Sequence, residues 1–123
     1  MRVHPMLSWV ATFCIAATII ALTLTPGVTA LDLPGFDLWD KAQHAIAFAF
    51  LVLPNACFNR PALPITMFAA TLLGAGIELI QPFVGREASL GDFAADMAGI
   101  ALGAALGILL LQSIQRLQTG RAG

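Results

Sequence analysis

Residues 78–99 read ELIQPFVGREASLGDFAADMAG. The stretch holds four of the seven acidic residues of the chain, Glu78, Glu87, Asp92 and Asp96, and lies between two long apolar runs. Glu78 and Asp96 fall inside those runs, where a helix-capping role cannot account for them. A charged side chain within a membrane helix costs roughly 2.5–3.5 kcal/mol on insertion scales. The charged groups must therefore find partners inside the protein if the runs are membrane helices.

Composition points to a membrane. The 123 residues are 59% hydrophobic and 11% charged, with a mean hydropathy of +0.86. A soluble domain carries about 25% charged residues, so this chain has too few to cover a water-facing surface. A net charge of −1 gives no basis for nucleic-acid binding. The two cysteines, Cys14 and Cys57, lie in apolar runs without metal or redox spacing. They are expected as packed hydrophobes rather than a disulfide.

The expected architecture is all-α: a single domain of four transmembrane helices, at about 6–24, 38–58, 63–81 and 89–111. At 1.5 Å per residue, about 20 residues span the ~30 Å hydrocarbon core. Trp9 and Trp39 fit membrane interfaces. Val28-Thr29-Ala30 resembles a signal-peptidase site, but the preceding apolar run exceeds the usual 7–15 residues of a signal peptide. The first run is therefore expected as a retained span. Two Pro-Gly pairs, at 26–27 and 34–35, mark the first connection. Asp37 with Asp40, and Ser89 with Asp92, have capping-box spacing. The charge-free part of the second run, residues 45–58, is short for a span, which draws Asp40, Lys41 and His44 to the membrane boundary. Gly99, Gly103 and Gly107 form a small-residue row suited to close helix packing or to an oligomer. Residues 112–123 are expected as a polar tail.

Four spans put both termini on one side. With that side cytoplasmic, Arg2, Arg60, Arg116 and Arg121 face in, and only Lys41 and Arg86 face out, in keeping with the positive-inside rule. All seven acids then fall on the outer half. The second span starts at that level, the third ends there and the fourth starts there. Asp40, Lys41, His44, Glu78, Gln81, Arg86, Ser89, Asp92 and Asp96 are thus expected at one depth. One expectation is a polar network that locks the helices, with Arg86 a candidate buried partner for Glu78; such a network requires every member to be paired. The sharper one is an outward-facing pocket. Its candidate catalytic residues are His44, Glu78, Asp92 and Asp96, with proton exchange between His44 and Glu78. Its candidate binding residues are Asp40, Lys41, Gln81, Arg86 and Ser89, with Lys41 and Arg86 holding a phosphate or carboxylate. One histidine without a fixed ligand spacing gives no metal expectation, and no cofactor motif is present.

Asp40-Lys41 followed by His44 and Phe48, then Glu78 and Gln81, then Arg86, Ser89, Asp92 and Gly99, resembles the VanZ-like family of bacterial membrane proteins. That family is named for a protein associated with teicoplanin resistance. The matched order covers about residues 40–103. The family often has Asn where this chain has Asp96. The resemblance implies a multi-pass protein of the bacterial cytoplasmic membrane with a role in the cell envelope. Its expected partner is a membrane lipid or lipid-linked envelope substrate. The resemblance does not imply a particular reaction.

Overall fold

The computed structural model describes residues 4–25 and 37–121, the side chains of 37–39 excepted. Four α-helices account for most of these residues: α1 (Pro5–Leu24), α2 (Asp37–Phe58), α3 (Leu63–Ile80) and α4 (Leu90–Gly120). No strand occurs among the described residues. The Pro-Gly pairs and the Val28-Thr29-Ala30 site lie outside them, as do the side chains on which the Trp39 interface and Asp37 cap expectations rest.

Local chemistry sets the helix ends. His4 caps α1, its Nδ1 accepting from the Met6 amide at 3.3 Å, and Pro5 takes the first helical position, where its missing N–H costs nothing. A single 3-10 turn, Arg60–Ala62, joins α2 to α3. After Ile80 the chain tightens into a second, Gln81–Val84, because Pro82 cannot continue the α-helical ladder. Gly85 then takes φ +76°, a left-handed conformation that glycine adopts without a Cβ penalty. Ser89 caps α4, its hydroxyl accepting from the Asp92 amide at 3.3 Å.

The helix limits agree with the expected spans to within a residue or two, except at the end of α4. Residues 112–120 continue the helix rather than forming a polar tail. Every residue there except Thr119 and Gly120 is Gln, Ser, Ile, Arg or Leu. Nothing in such a run breaks a helix.

Among the described residues, three segments are long and apolar enough to cross a membrane: α1, Arg60–Val84 and α4. α2, expected as a fourth, is as long but less apolar, because Lys41, Gln43, His44 and Asn55 interrupt it. Its place in the bundle explains this composition. α2 packs against each of the other three helices, and most extensively against α4. Its polar groups can therefore face protein. Phe48, Leu51, Val52 and Ala56 of α2 form the core with Ile100 and Ala104 of α4, Ala70 and Ile77 of α3, and Ile19 of α1. The exterior is apolar: Phe13, Phe50, Phe68, Leu79, Phe83 and Leu109 are each more than half exposed. An apolar surface of that extent marks contact with lipid or another apolar partner rather than water.

The glycine row explains the α2–α4 contact. A Cβ on Gly99 or Gly103 would overlap the carbonyl oxygen of Ala45 or Ala49, and one on Gly107 would overlap the Ala56 side chain. The two backbones touch where these glycines pass. Of the two expectations for the Gly99/Gly103/Gly107 row, the structure shows close helix packing: α2 of the same chain lies against it. Of the cysteines, Cys57 is buried as expected, whereas Cys14 lies on the exposed apolar surface, and both are free thiols.

Candidate functional site

The site lies at the end of the bundle where α2 and α4 begin and α3 finishes. Arg86 brings α1 to the same end, because its guanidinium donates to the Leu22 carbonyl at 3.2 Å. A cation suits the C-terminal carbonyls of a helix.

α4 contributes two carboxylates one turn apart. Residues four apart share a helix face, so Asp92 and Asp96 both turn toward α2. There they bracket His44. Its Nδ1 lies 2.9 Å from Asp96 Oδ1, a hydrogen bond, and its Nε2 lies 3.8 Å from Asp92 Oδ2, too long for one. With Asp96 ionised this bond requires the proton on Nδ1, because a carboxylate then only accepts. Asp96 is fully buried at 0% exposure, and Asp92 is 7% exposed.

The same geometry explains why Asp92 is available to His44. In a capping box the acid at the third helical position reaches back to the N-cap amide. Here the Ser89 amide instead donates to Glu78 Oε2 on α3, at 2.7 Å. Glu78 completes the cap from a neighbouring helix, which corrects the expectation that no capping role could account for it, and Asp92 turns inward. Glu78 was expected to pair with Arg86 or to carry chemistry. The structure gives one of its oxygens a capping bond and leaves the other, Oε1, buried with no hydrogen-bond partner.

Asp96 Oδ2 is in the same condition. It faces α3 at Gly74, where an added Cβ would stand 3.0 Å from it. Gly74 is one turn before Glu78, so the absence of a side chain there leaves room for the Asp96 carboxylate between α2 and α3. Donor atoms of His44, Glu78 and Asp96 all lie within 4.8 Å of one another, and a second such group joins His44 to Asp92 and the exposed Asp40. Sequence spacing gave no metal expectation. The fold supplies ligand-competent groups because it brings together residues from three helices.

The remaining expected residues are placed as follows. Lys41 lies across α4 at Gly91, its Nζ 3.5 Å from where a Cβ there would stand. Gln81 is buried in the turn after α3, with Oε1 lacking a hydrogen-bond partner, and its carbonyl accepts from the Arg86 amide at 3.0 Å. Beside the cluster, a cleft of about 380 Å³ opens between the end of α3 and the start of α4. Ala75, Leu79, Leu90 and Phe93 form apolar walls, and Glu78 and Ser89 line the same cleft.

A second polar group was not anticipated. Asn55, fully buried on α2, donates to Thr66 Oγ1 on α3 at 2.8 Å and to Thr12 Oγ1 on α1 at 3.4 Å. It ties three helices together, about 16 Å along α2 from His44. The signal was present: Asn in an otherwise apolar run, following Pro54.

No family model matches the chain, and neither does any curated protein or solved structure.

Proposed function

We propose that this is a VanZ-like protein of the bacterial cytoplasmic membrane, with four spans and both termini in the cytoplasm. In this reading its acidic end faces outward and binds a lipid-linked or anionic envelope substrate, as a contribution to glycopeptide resistance of the teicoplanin type. The apolar cleft between α3 and α4 suits the lipid chain of such a substrate, and the polar cluster next to it suits the headgroup. His44, held between carboxylates, is the group suited to acid–base chemistry.

The observation that carries this reading is the pair of orphaned oxygens, Glu78 Oε1 and Asp96 Oδ2. A network serving only to pack helices needs its buried polar atoms paired, because an unpaired one costs about 1–3 kcal/mol. Two unpaired carboxylate oxygens, on residues that each bring a carboxylate oxygen within 4.8 Å of the other and of His44, favour a site that receives something. One observation favours the alternative, a non-catalytic accessory protein: Glu78 Oε2 caps α4 and so has structural work.

The test is teicoplanin susceptibility of cells expressing the wild type, His44→Ala or Glu78→Gln, with membrane levels measured in parallel. Loss of protection by variants that still insert at wild-type levels is the expected result. Full protection by both inserted variants would refute the site reading.

A further inference from the structure

We infer that His44, Glu78 and Asp96 hold a divalent cation of the zinc–manganese class at the junction of α2, α3 and α4. The inference rests on the reading above, that this end of the bundle is a binding site, and it resolves a difficulty in that reading. Asp40, Glu78, Asp92 and Asp96 make the end acidic, which repels an anionic headgroup. A bound divalent ion offsets two of these charges and gives a phosphate or carboxylate a direct partner.

Three features of the geometry converge. Each of the three helices contributes one ligand-competent side chain, and their donor atoms lie within 4.8 Å of one another. Ions of this class sit about 2.0–2.2 Å from such donors, so the group needs to close by only a small movement. Next, Asp96 is fully buried and its Oδ2 is unpartnered, as is Glu78 Oε1. A cation between them gives both oxygens a partner, which no hydrogen bond among the described residues does. Finally, His44 has a carboxylate at each ring nitrogen. With Nδ1 ligating the ion, the proton moves to Nε2, which faces Asp92 Oδ2 at 3.8 Å. A carboxylate behind a ligating histidine orients the ring and raises its basicity. Asp92 is accordingly a positioning residue.

The donor set selects the ion class. An imidazole with two carboxylates is softer than the all-oxygen shells preferred by Mg²⁺ and Ca²⁺, and it lacks the thiolates that favour Cu(I) or iron–sulfur clusters.

The experiment is metal analysis of the full chain purified in detergent. Samples are loaded with Zn²⁺ or Mn²⁺, dialysed against a weak chelator and assayed by mass spectrometry, with thermal melting followed in the same samples. Wild type is expected to retain about one equivalent of one of the two ions and to melt at a higher temperature when loaded. Glu78→Gln and His44→Ala are expected to retain at least tenfold less while keeping wild-type helicity. Glu78→Asp, which keeps the charge, restores part of the binding. Glu87→Gln, at an exposed carboxylate outside the cluster, retains the ion. Wild type that retains neither ion overturns the proposal. Retention by Glu78→Gln, or loss on Glu87→Gln alone, also overturns it by placing the ion elsewhere. The proposal fails on stoichiometry and the envelope reading fails on susceptibility, so the two failures are distinguishable: a metal-free protein that still protects cells overturns only the first.

Discussion

Asp96 shows how much one side chain can depend on its setting. Its Oδ1 accepts from His44, and its Oδ2 lies over Gly74 without a partner. Asp96→Asn keeps an acceptor for His44 and removes the charge, so its melting temperature is expected to stay close to wild type while metal retention falls. Asp96→Leu leaves the His44 N–H without its acceptor in a buried place and is expected to lose about 1–3 kcal/mol of stability. A denaturation series on the two variants checks this, and equal stability of both would contradict the assigned bond. Glu78 separates in the same manner. The side-chain amide of Glu78→Gln still accepts from the Ser89 amide, whereas Glu78→Ala removes the cap and is expected to cost about 0.5–2 kcal/mol. Hydrogen exchange over the first turn of α4 reads the difference: faster exchange in Glu78→Ala but not in Glu78→Gln.

At the scale of elements, α2 and α4 form the pair on which the site depends. Their backbones approach at Gly99 and Gly103, so Gly99→Ala forces a methyl against the Ala45 carbonyl. Overpacking of this kind costs typically about 1–3 kcal/mol. Because Gly99 follows Asp96 by three residues, separation of the helices also pulls Asp96 away from His44. Gly99→Ala is therefore expected to lower both melting temperature and metal retention, whereas Gly120→Ala, with open space around it, should change neither. The helices themselves were legible in the sequence, because apolar run length and Pro and Gly punctuation are local signals. The partner of the glycine row was not. A small-residue face specifies close packing but not which helix arrives, and only the fold shows that α2 covers it. The Asn55 tie to Thr12 and Thr66 was hidden for a similar reason: threonines are unremarkable in an apolar helix until a buried amide meets them.

For the whole molecule, connectivity carried much of the site. Placing the start of the second run, the end of the third and the start of the fourth at one level brought His44, Glu78, Asp92 and Asp96 together, and the structure has His44, Glu78 and Asp96 within reach of one another, with Asp92 beside His44. Which pairs form was beyond that reasoning. Arg86 was a candidate partner for Glu78, yet it reaches the end of α1 at Leu22, while the Ser89 amide takes Glu78. Such choices are set by distances of an ångström or two, and linear spacing does not encode them. Much of the molecule's described exterior is apolar, and the cluster of ionisable groups around His44 lies at one end, an arrangement suited to a bilayer with one working face.

Side-specific thiol labelling tests that arrangement most directly. In a background carrying Cys14→Ala and Cys57→Ala, single cysteines at Lys41, Arg86 and Arg60 are treated with a membrane-impermeant maleimide on intact cells. The account predicts reaction at positions 41 and 86 from outside, and at position 60 only after the membrane is opened. Reaction at 41 and 86 from opposite sides would contradict it.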